Sequence, residues 1–148
     1  MQIDSIMVVP TGSRRGVSLI RELSEAGWPQ VAEVSPSEDV MAEIRDQQPS
    51  VVILDLGIPD ARSLAQAFQV ARDSGRPTVV FVDRTDESAI EDAIEAGVAT
   101  YVVGGLRHGR IRPIVETAVT RFRMFERLRR ERDDAMSALS AFFGPVGR

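Results

Sequence analysis

The residue best placed to do chemistry in this chain is Asp55, which ends the apolar run Val51-Val52-Ile53-Leu54. Three of these four residues are β-branched, and such an unbroken run predicts a strand buried on both faces of a parallel sheet. Gly57 and Pro59 follow, so the chain turns directly after the carboxylate. Because open α/β sheets bind ligands at the carboxyl ends of their strands, Asp55 is a candidate reactive carboxylate. The alternative is that Asp55 only caps the turn, a common role for Asp.

A second candidate is the loop at residues 11–16, between a predicted strand and a predicted helix. Its residues Gly12, Ser13 and Gly16 could present backbone N–H groups to a phosphate or another anion at the helix N-terminus. Doubly wound sheets also hold flavins at their strand ends, so a flavin or nucleotide site is a further alternative. The loop matches no complete nucleotide-binding motif.

The composition excludes several classes of function. The 148 residues include no cysteine and one histidine, His108, so thiol chemistry, disulfides and a histidine-rich metal site are excluded. All 18 basic residues are Arg. We find no apolar run long enough to span a membrane and no leader-like N-terminus, which predicts a cytoplasmic protein with no membrane partner. We also expect no enzyme activity, no metal and no cofactor.

Strand and helix patterns alternate five times along residues 2–103. Strands are predicted at residues 2–9, 30–34, 51–54, 78–82 and 100–103. Helices are predicted from Val17, from Pro36-Ser37, over residues 61–73 and over residues 86–95, the last with Ile90 and Ile94 facing inward. Short connections between alternating elements predict an α/β fold with a doubly wound parallel sheet and right-handed crossovers.

The last segment predicts one helix over about residues 110–143, followed by a tail at residues 144–148. Its first part supplies apolar residues that can pack on the sheet, so the globular domain extends to about residue 120. Beyond it an apolar seam continues at spacings of three and four, which predicts a coiled coil and a homodimer. The alternative is that the helix folds back on its own domain. The seam consists of Phe122, Phe125, Leu128, Ala135, Leu139 and Phe142, with Arg132 falling on it.

The net charge of the chain changes sign close to the start of this predicted helix. Residues 1–106 carry 17 acidic and 8 basic residues, a net of −9, whereas residues 107–148 carry 5 acidic and 10 basic residues, a net of +5. An acidic head with a basic helix indicates two functions in one chain. The Arg-rich helix could bind RNA electrostatically, although such a row is more often the solvated face of a coiled coil.

The order of elements and the run VVILDLGIPD around Asp55 resemble the receiver domain of two-component response regulators. The resemblance implies a five-stranded sheet in the order 2-1-3-4-5 and makes Asp55 the phospho-acceptor position. Receivers of this family also use an acid pair after the first strand to hold Mg²⁺, a Thr or Ser after the fourth strand, and a Lys after the fifth. The matching positions here are Pro10, Thr11, Val82 and Gly104, with Asp83 as the alternative to Val82 if the register shifts by one residue.

These departures predict a pseudo-receiver that keeps the fold without the phosphorelay switch. The alternative is a working phospho-accepting receiver whose Mg²⁺ site is rebuilt from Asp4, Asp60 and Asp83. Mg²⁺ is expected as a cofactor only in that case.

The segment from Ala96 to Val103 and the run RIRPI at residues 110–114 resemble the receivers of ANTAR-type antiterminators, which include the amide- and nitrate-responsive regulators. In that family a coiled-coil helix and a three-helix RNA-binding head follow the receiver. The resemblance implies control of transcription antitermination, with a regulatory sensor protein as a possible partner. We expect the head to be absent from this chain, so that RNA would be bound only through a head that these residues do not supply.

Overall fold

Five parallel strands form one sheet in the order β2-β1-β3-β4-β5, which confirms the predicted fold class and strand order. The computed structural model of the chain describes residues 2–10 and 15–144, and the side chains of residues 2–10 and 19–144. The strands are β1 (Ser5–Pro10), β2 (Gln30–Glu33), β3 (Val51–Gly57), β4 (Thr78–Val82) and β5 (Thr100–Val103). Since β3 is the central strand, every one of its residues is buried.

In the described part of the chain, five helices connect and flank the strands. They are α1 (Arg15–Glu25), α2 (Val40–Gln47), α3 (Ala61–Asp73), α4 (Glu87–Ala96) and α5 (Ile111–Phe143). The Asp60 and Asp86 carboxylates accept hydrogen bonds from Ser63 N–H at 2.7 Å and Ala89 N–H at 2.8 Å, which caps α3 and α4. These caps explain why both helices begin within one residue of their predicted starts.

The start of α2 was predicted too early. Ser35 Oγ accepts a hydrogen bond from Ser37 N–H, and Glu38 N–H bonds to Ser35 O, so these residues form a turn instead of helix. Asp39 caps the helix by accepting from Ala42 N–H at 3.1 Å, and α2 begins at Val40.

Alternation along the strands sends apolar side chains to both faces of the sheet. On one face Met7, Leu54 and Val80 pack with residues of α2, α3 and α4. On the other face Ile53 and Phe81 pack with residues of α1 and α5. Both faces are therefore covered by helices, as the continuous apolar strands predicted.

The predicted inward face of α4 was wrong. Ile90 is 40% exposed and Ile94 is 72% exposed, while Ala93 and Ala96 are buried against the sheet. The two isoleucines and the two alanines occupy neighbouring stripes of one helix, and the small alanines let α4 approach its neighbours closely. Spacing alone could not choose between stripes roughly 100° apart.

Helix α5 is one continuous helix, which confirms the long helix predicted for this segment. Ile111, Val115, Ala118 and Val119 are buried against the sheet, as expected. At 1.5 Å per residue its 33 residues span roughly 50 Å, so the distal half projects beyond the domain. The seam is not folded back: Phe125 is 62% exposed and Phe142 is 82% exposed.

Candidate functional site

Asp55 lies where the sequence placed it, near the carboxyl end of β3. It pairs in register with Pro10 of β1 and Phe81 of β4. Its Oδ1 accepts a hydrogen bond from Gly57 N–H at 3.2 Å, an interaction that also fixes the turn. Gly57 has a φ of 60°, a left-handed conformation that glycine adopts without strain. Asp55 has no exposed surface in this structure.

The strand ends around Asp55 differ from those that the resemblance implies. Pro10 is the last residue of β1, although the sequence placed it in a loop, and it offers no carboxylate beside Asp55. Val82 is the last residue of β4 and is fully buried in the core, so the first residue after the strand is Asp83. The N–H of Asp83 donates to Gly57 O at 2.7 Å.

Gly104 directly follows β5, and its N–H donates to Val82 O at 2.9 Å. This is the position at which the resemblance expects a Lys side chain. The glycine has a φ of 89° and carries no cation. Since the sequence contains no Lys, no other residue of that type can take the place.

The acids considered for a rebuilt Mg²⁺ site are spread over the domain. Asp4 precedes β1, at the opposite end of that strand from Pro10. The Asp60 carboxylate is engaged in capping α3, where hydrogen bonds from Ser63 hold its pKa below the usual value. Asp60 and Asp83 lie in the loops after β3 and β4, at the edge where Asp55 lies, but neither follows β1, where a receiver has its acid pair. These described residues do not fit the acid set that a receiver uses for Mg²⁺.

The predicted anion loop lies mostly outside the described residues. Thr11, Gly12 and Ser13 are among the residues the structure does not describe, and Gly16 falls in the first turn of α1.

Sequence reasoning missed a hydroxyl pair beside this edge. Thr85, in the loop after β4, lies with its Oγ1 3.0 Å from the Tyr101 hydroxyl on β5. Both side chains are half-buried, so the pair ties the β4–α4 loop to the neighbouring strand. The sequence of β5 gives no signal for this contact, because the partner of Tyr101 lies sixteen residues earlier in the chain.

A second missed contact joins α1 to the loop before α5. His108 Nδ1 lies 2.6 Å from Glu22 Oε1, and Gly109 N–H donates to Glu22 Oε2 at 3.3 Å. These hydrogen bonds lower the pKa of Glu22, and the bond to Glu22 raises the pKa of His108. With Glu25 they form the one group of three His, Asp or Glu side chains close enough to share an ion, among the side chains described.

Arg112, at the start of α5, strengthens the same junction. Its guanidinium lies 5.0 Å from the centroid of the Trp28 ring and donates to Ala26 O. Arg112 therefore helps to fix the direction in which α5 leaves the domain.

An open groove lies where α5 leaves the domain. Its volume is about 860 Å³, and we call it the α4–α5 groove. Arg121 lines the groove and donates a hydrogen bond to Ala99 O at 3.3 Å. The larger apolar lining residues are Ile94, Val98, Phe122, Phe125 and Leu128, and the charged lining residues include Arg129, Glu95 and Glu126.

Sequence comparison finds transcriptional regulatory proteins among the proteins similar to this chain. No family model matches the chain. The chain is 27% identical over 107 residues to the transcriptional regulatory protein PdtaR of Mycobacterium tuberculosis, covering 72% of this chain and 52% of that protein. It is 26% identical over 90 residues to the transcriptional regulatory protein AfsQ1 of Streptomyces coelicolor, covering 58% of this chain and 40% of that protein. The chain thus spans about half, or less, of the length of these relatives.

Solved structures agree on the fold. The CheY-like response regulator receiver domain protein of Methanospirillum hungatei has a TM-score of 0.68 at 12% identity, covering 83% of this chain and 98% of that one. The receiver domain of nitrogen regulatory protein C has a TM-score of 0.65 at 23% identity, covering 83% of this chain and 99% of that one. No helix in the described part of the chain is both long and apolar enough to cross a membrane.

Proposed function

We propose that this chain carries a response-regulator receiver domain and that it is a pseudo-receiver, which passes on regulation through protein contacts without a phosphoryl group on Asp55. The observation that carries the proposal is the environment of Asp55. The carboxylate is buried, with no exposed surface from which it could attack a phosphoryl donor. The residue paired with it on β1 is Pro10, whose side chain has no atom that could bind a metal ion.

Phosphoryl transfer between negatively charged groups depends on positioning and on neutralising charge. In a receiver that neutralisation comes from a metal ion and a Lys. Here Gly104 stands at the Lys position and the acid Asp83 stands after β4, so the described edge adds negative charge where positive charge is needed.

The output element of the proposed pseudo-receiver is the distal half of α5. Leu128 is 54% exposed and Leu139 is 53% exposed, on a helix that projects away from the domain. A row of half-exposed apolar side chains on one stripe is unfavourable in water and is covered when a second helix packs on it. We propose that the second helix belongs to another copy of this chain, so that the protein is a homodimer.

The regulated process that we propose is transcription. Two relatives are named transcriptional regulatory proteins, and the resemblance around residues 96–114 narrows the proposal to antitermination. A sensor protein that binds the receiver and α5 is the proposed source of control. RNA is contacted, in this proposal, by a head that the present residues do not supply.

The alternative of a working phosphorelay receiver has one observation in its favour. Asp83 begins the loop after β4, and its N–H bond to Gly57 O holds it close to the turn that follows Asp55. A metal ion bound between these two acids would restore part of a receiver site.

The dimerisation constant of the Asp55→Asn variant tests the proposal. Wild type and variant are measured by sedimentation over a concentration series, with and without acetyl phosphate and Mg²⁺. A pseudo-receiver predicts the same constant in all four conditions. A shift that acetyl phosphate causes in wild type but not in the variant would show that phosphorylation controls the protein. Thermal melting of both proteins checks that each is folded.

A further inference from the structure

We infer that two copies pair through α5 in antiparallel orientation, so that the helix end of each copy fills the α4–α5 groove of the other. This inference rests on the dimerisation proposed above and adds the orientation of the helices and the occupant of the groove. The two orientations place different residues opposite one another, and the observations below favour the antiparallel one.

The spacing of the seam residues is the same in both directions along α5. From Phe125 to Phe142 its positions are spaced three, four, three, four and three residues apart, the regular alternation of a coiled-coil core. When a second helix is reversed over this stretch, the four outer seam positions meet in pairs of like side chains. Phe125 faces Phe142, and Leu128 faces Leu139.

Arg132 distinguishes the orientations most clearly. In a parallel, in-register pair, two Arg132 side chains lie in the same layer of the core, which brings like charges together. In the antiparallel pair Arg132 faces Ala135 instead. The small side chain leaves room for the aliphatic part of Arg132 to pass along the seam and for its guanidinium to reach water. Arg132 is 70% exposed in the single chain, so this route to solvent is open.

The length of the projecting helix fits the reversed arrangement. Helix α5 ends at Phe143, and Gly144 breaks it with a φ of 75°. In the antiparallel register Phe143 of one copy lies level with residues 122–124 of the other, where the receiver begins. The partner helix therefore fills the whole projecting stretch and stops at the domain.

The α4–α5 groove lies at that level and suits the end of the partner helix. Phe122, Phe125 and Ile94 give it an apolar lining, and Ile94 is 72% exposed in a single chain. The free helix end carries Phe142 and Phe143, which are 82% and 71% exposed. Their insertion would cover both apolar surfaces at once. The isoleucine that sequence reasoning placed inside the domain thus acquires a role at the interface.

Cysteine cross-linking tests the orientation, and the absence of native cysteine makes it unambiguous. Leu128→Cys and Leu139→Cys are prepared separately, and disulfide formation is followed by non-reducing electrophoresis. We expect cross-linked dimers when the two variants are mixed and little cross-linking of either variant alone. Cross-linking of each variant with itself would establish a parallel pair and overturn the inference while leaving dimerisation intact. Wild type that stays monomeric in sedimentation would overturn both proposals.

A receiver variant tests the groove independently. Ile94→Asp is expected to raise the dimer dissociation constant at least tenfold, although Ile94 lies outside α5. The matched control is Ile58→Asp, because Ile58 is 66% exposed and lies in the loop after β3. Equal dissociation constants for Ile94→Asp and wild type would show that the partner helix does not enter the groove.

Discussion

Replacing two apolar residues of the seam with acids should make the protein monomeric. In the variant Phe125→Asp with Leu128→Asp, side chains that are 62% and 54% exposed in a single chain lose their contacts with the second copy. Covering the exposed half of a Phe or Leu contributes about 0.75–1.5 kcal/mol, which is half of the roughly 1.5–3 kcal/mol for full burial. A symmetric dimer covers four such side chains, so the variant loses about 3–6 kcal/mol and its Kd rises by roughly two to four powers of ten.

Light scattering at several concentrations measures this change directly. The matched control is Ser137→Asp with Ser140→Asp, which adds the same charge at exposed positions of α5 away from the seam. We expect the control to dimerise like wild type and the seam variant to remain a monomer with unchanged helix content. A seam variant with the mass of the wild-type dimer would refute the claim that these residues form the interface.

Three further predictions concern the stability of the domain. The contact with Glu22 raises the pKa of His108 and lowers the pKa of Glu22, so it stabilises the fold between about pH 4 and about pH 6.5 and weakens as the pH rises through the raised pKa of His108. The variant His108→Gln should therefore flatten the dependence of the urea midpoint on pH from about 6 to about 8. An unchanged slope would count against the contact. Gly27 follows α1 with a φ of 96°, so Gly27→Ala should lower the free energy of unfolding in urea by about 1–2 kcal/mol. The control Gly105→Ala, whose new Cβ meets no neighbour within 4 Å, should be near neutral. Equal stabilities of the two variants would show that the left-handed backbone of Gly27 is not needed. Ala93→Leu should lower the free energy of unfolding by about 1–3 kcal/mol, because Ala93 is buried. The control Ser88→Leu, on the exposed side of α4, should change the free energy of unfolding by less than about 0.5 kcal/mol. A larger effect of Ser88→Leu than of Ala93→Leu would mean that α4 is rotated about its axis.

The strand core and the long helix could be predicted from the sequence because their patterns have one physical solution. The short apolar run before Asp55 is rich in β-branched residues and is followed by turn residues, which favours a buried strand. The stretch from Ile111 to Phe143 contains no helix breaker beyond its first turn. The start of α2 was less determined, since Ser35 and Asp39 can each organise a turn or a cap. Helix α4 has two apolar stripes, one with Ile90 and Ile94 and one with Ala93 and Ala96. Which of them faces the sheet depends on how closely the helix approaches its neighbours.

The candidate site was predictable in position and less so in detail. Asp55 and Gly104 could be placed because each directly follows an apolar run that predicts a strand. Whether Asp83 or Val82 follows β4 depends on the length of that strand by one residue, which apolar patterns do not resolve. The contacts of Glu22 with His108 and of Thr85 with Tyr101 join residues far apart in the chain, so only the folded structure brings them together.

The most direct test of the central claim is the intact mass of the protein after incubation with acetyl phosphate and Mg²⁺, beside the Asp55→Asn variant. We expect no added phosphoryl group on either protein, because Asp55 is buried and because Pro10 and Gly104 stand where a receiver places an acid and a Lys. A phosphoryl adduct on wild type that is absent from Asp55→Asn would contradict this expectation and would make this chain a working phospho-accepting receiver.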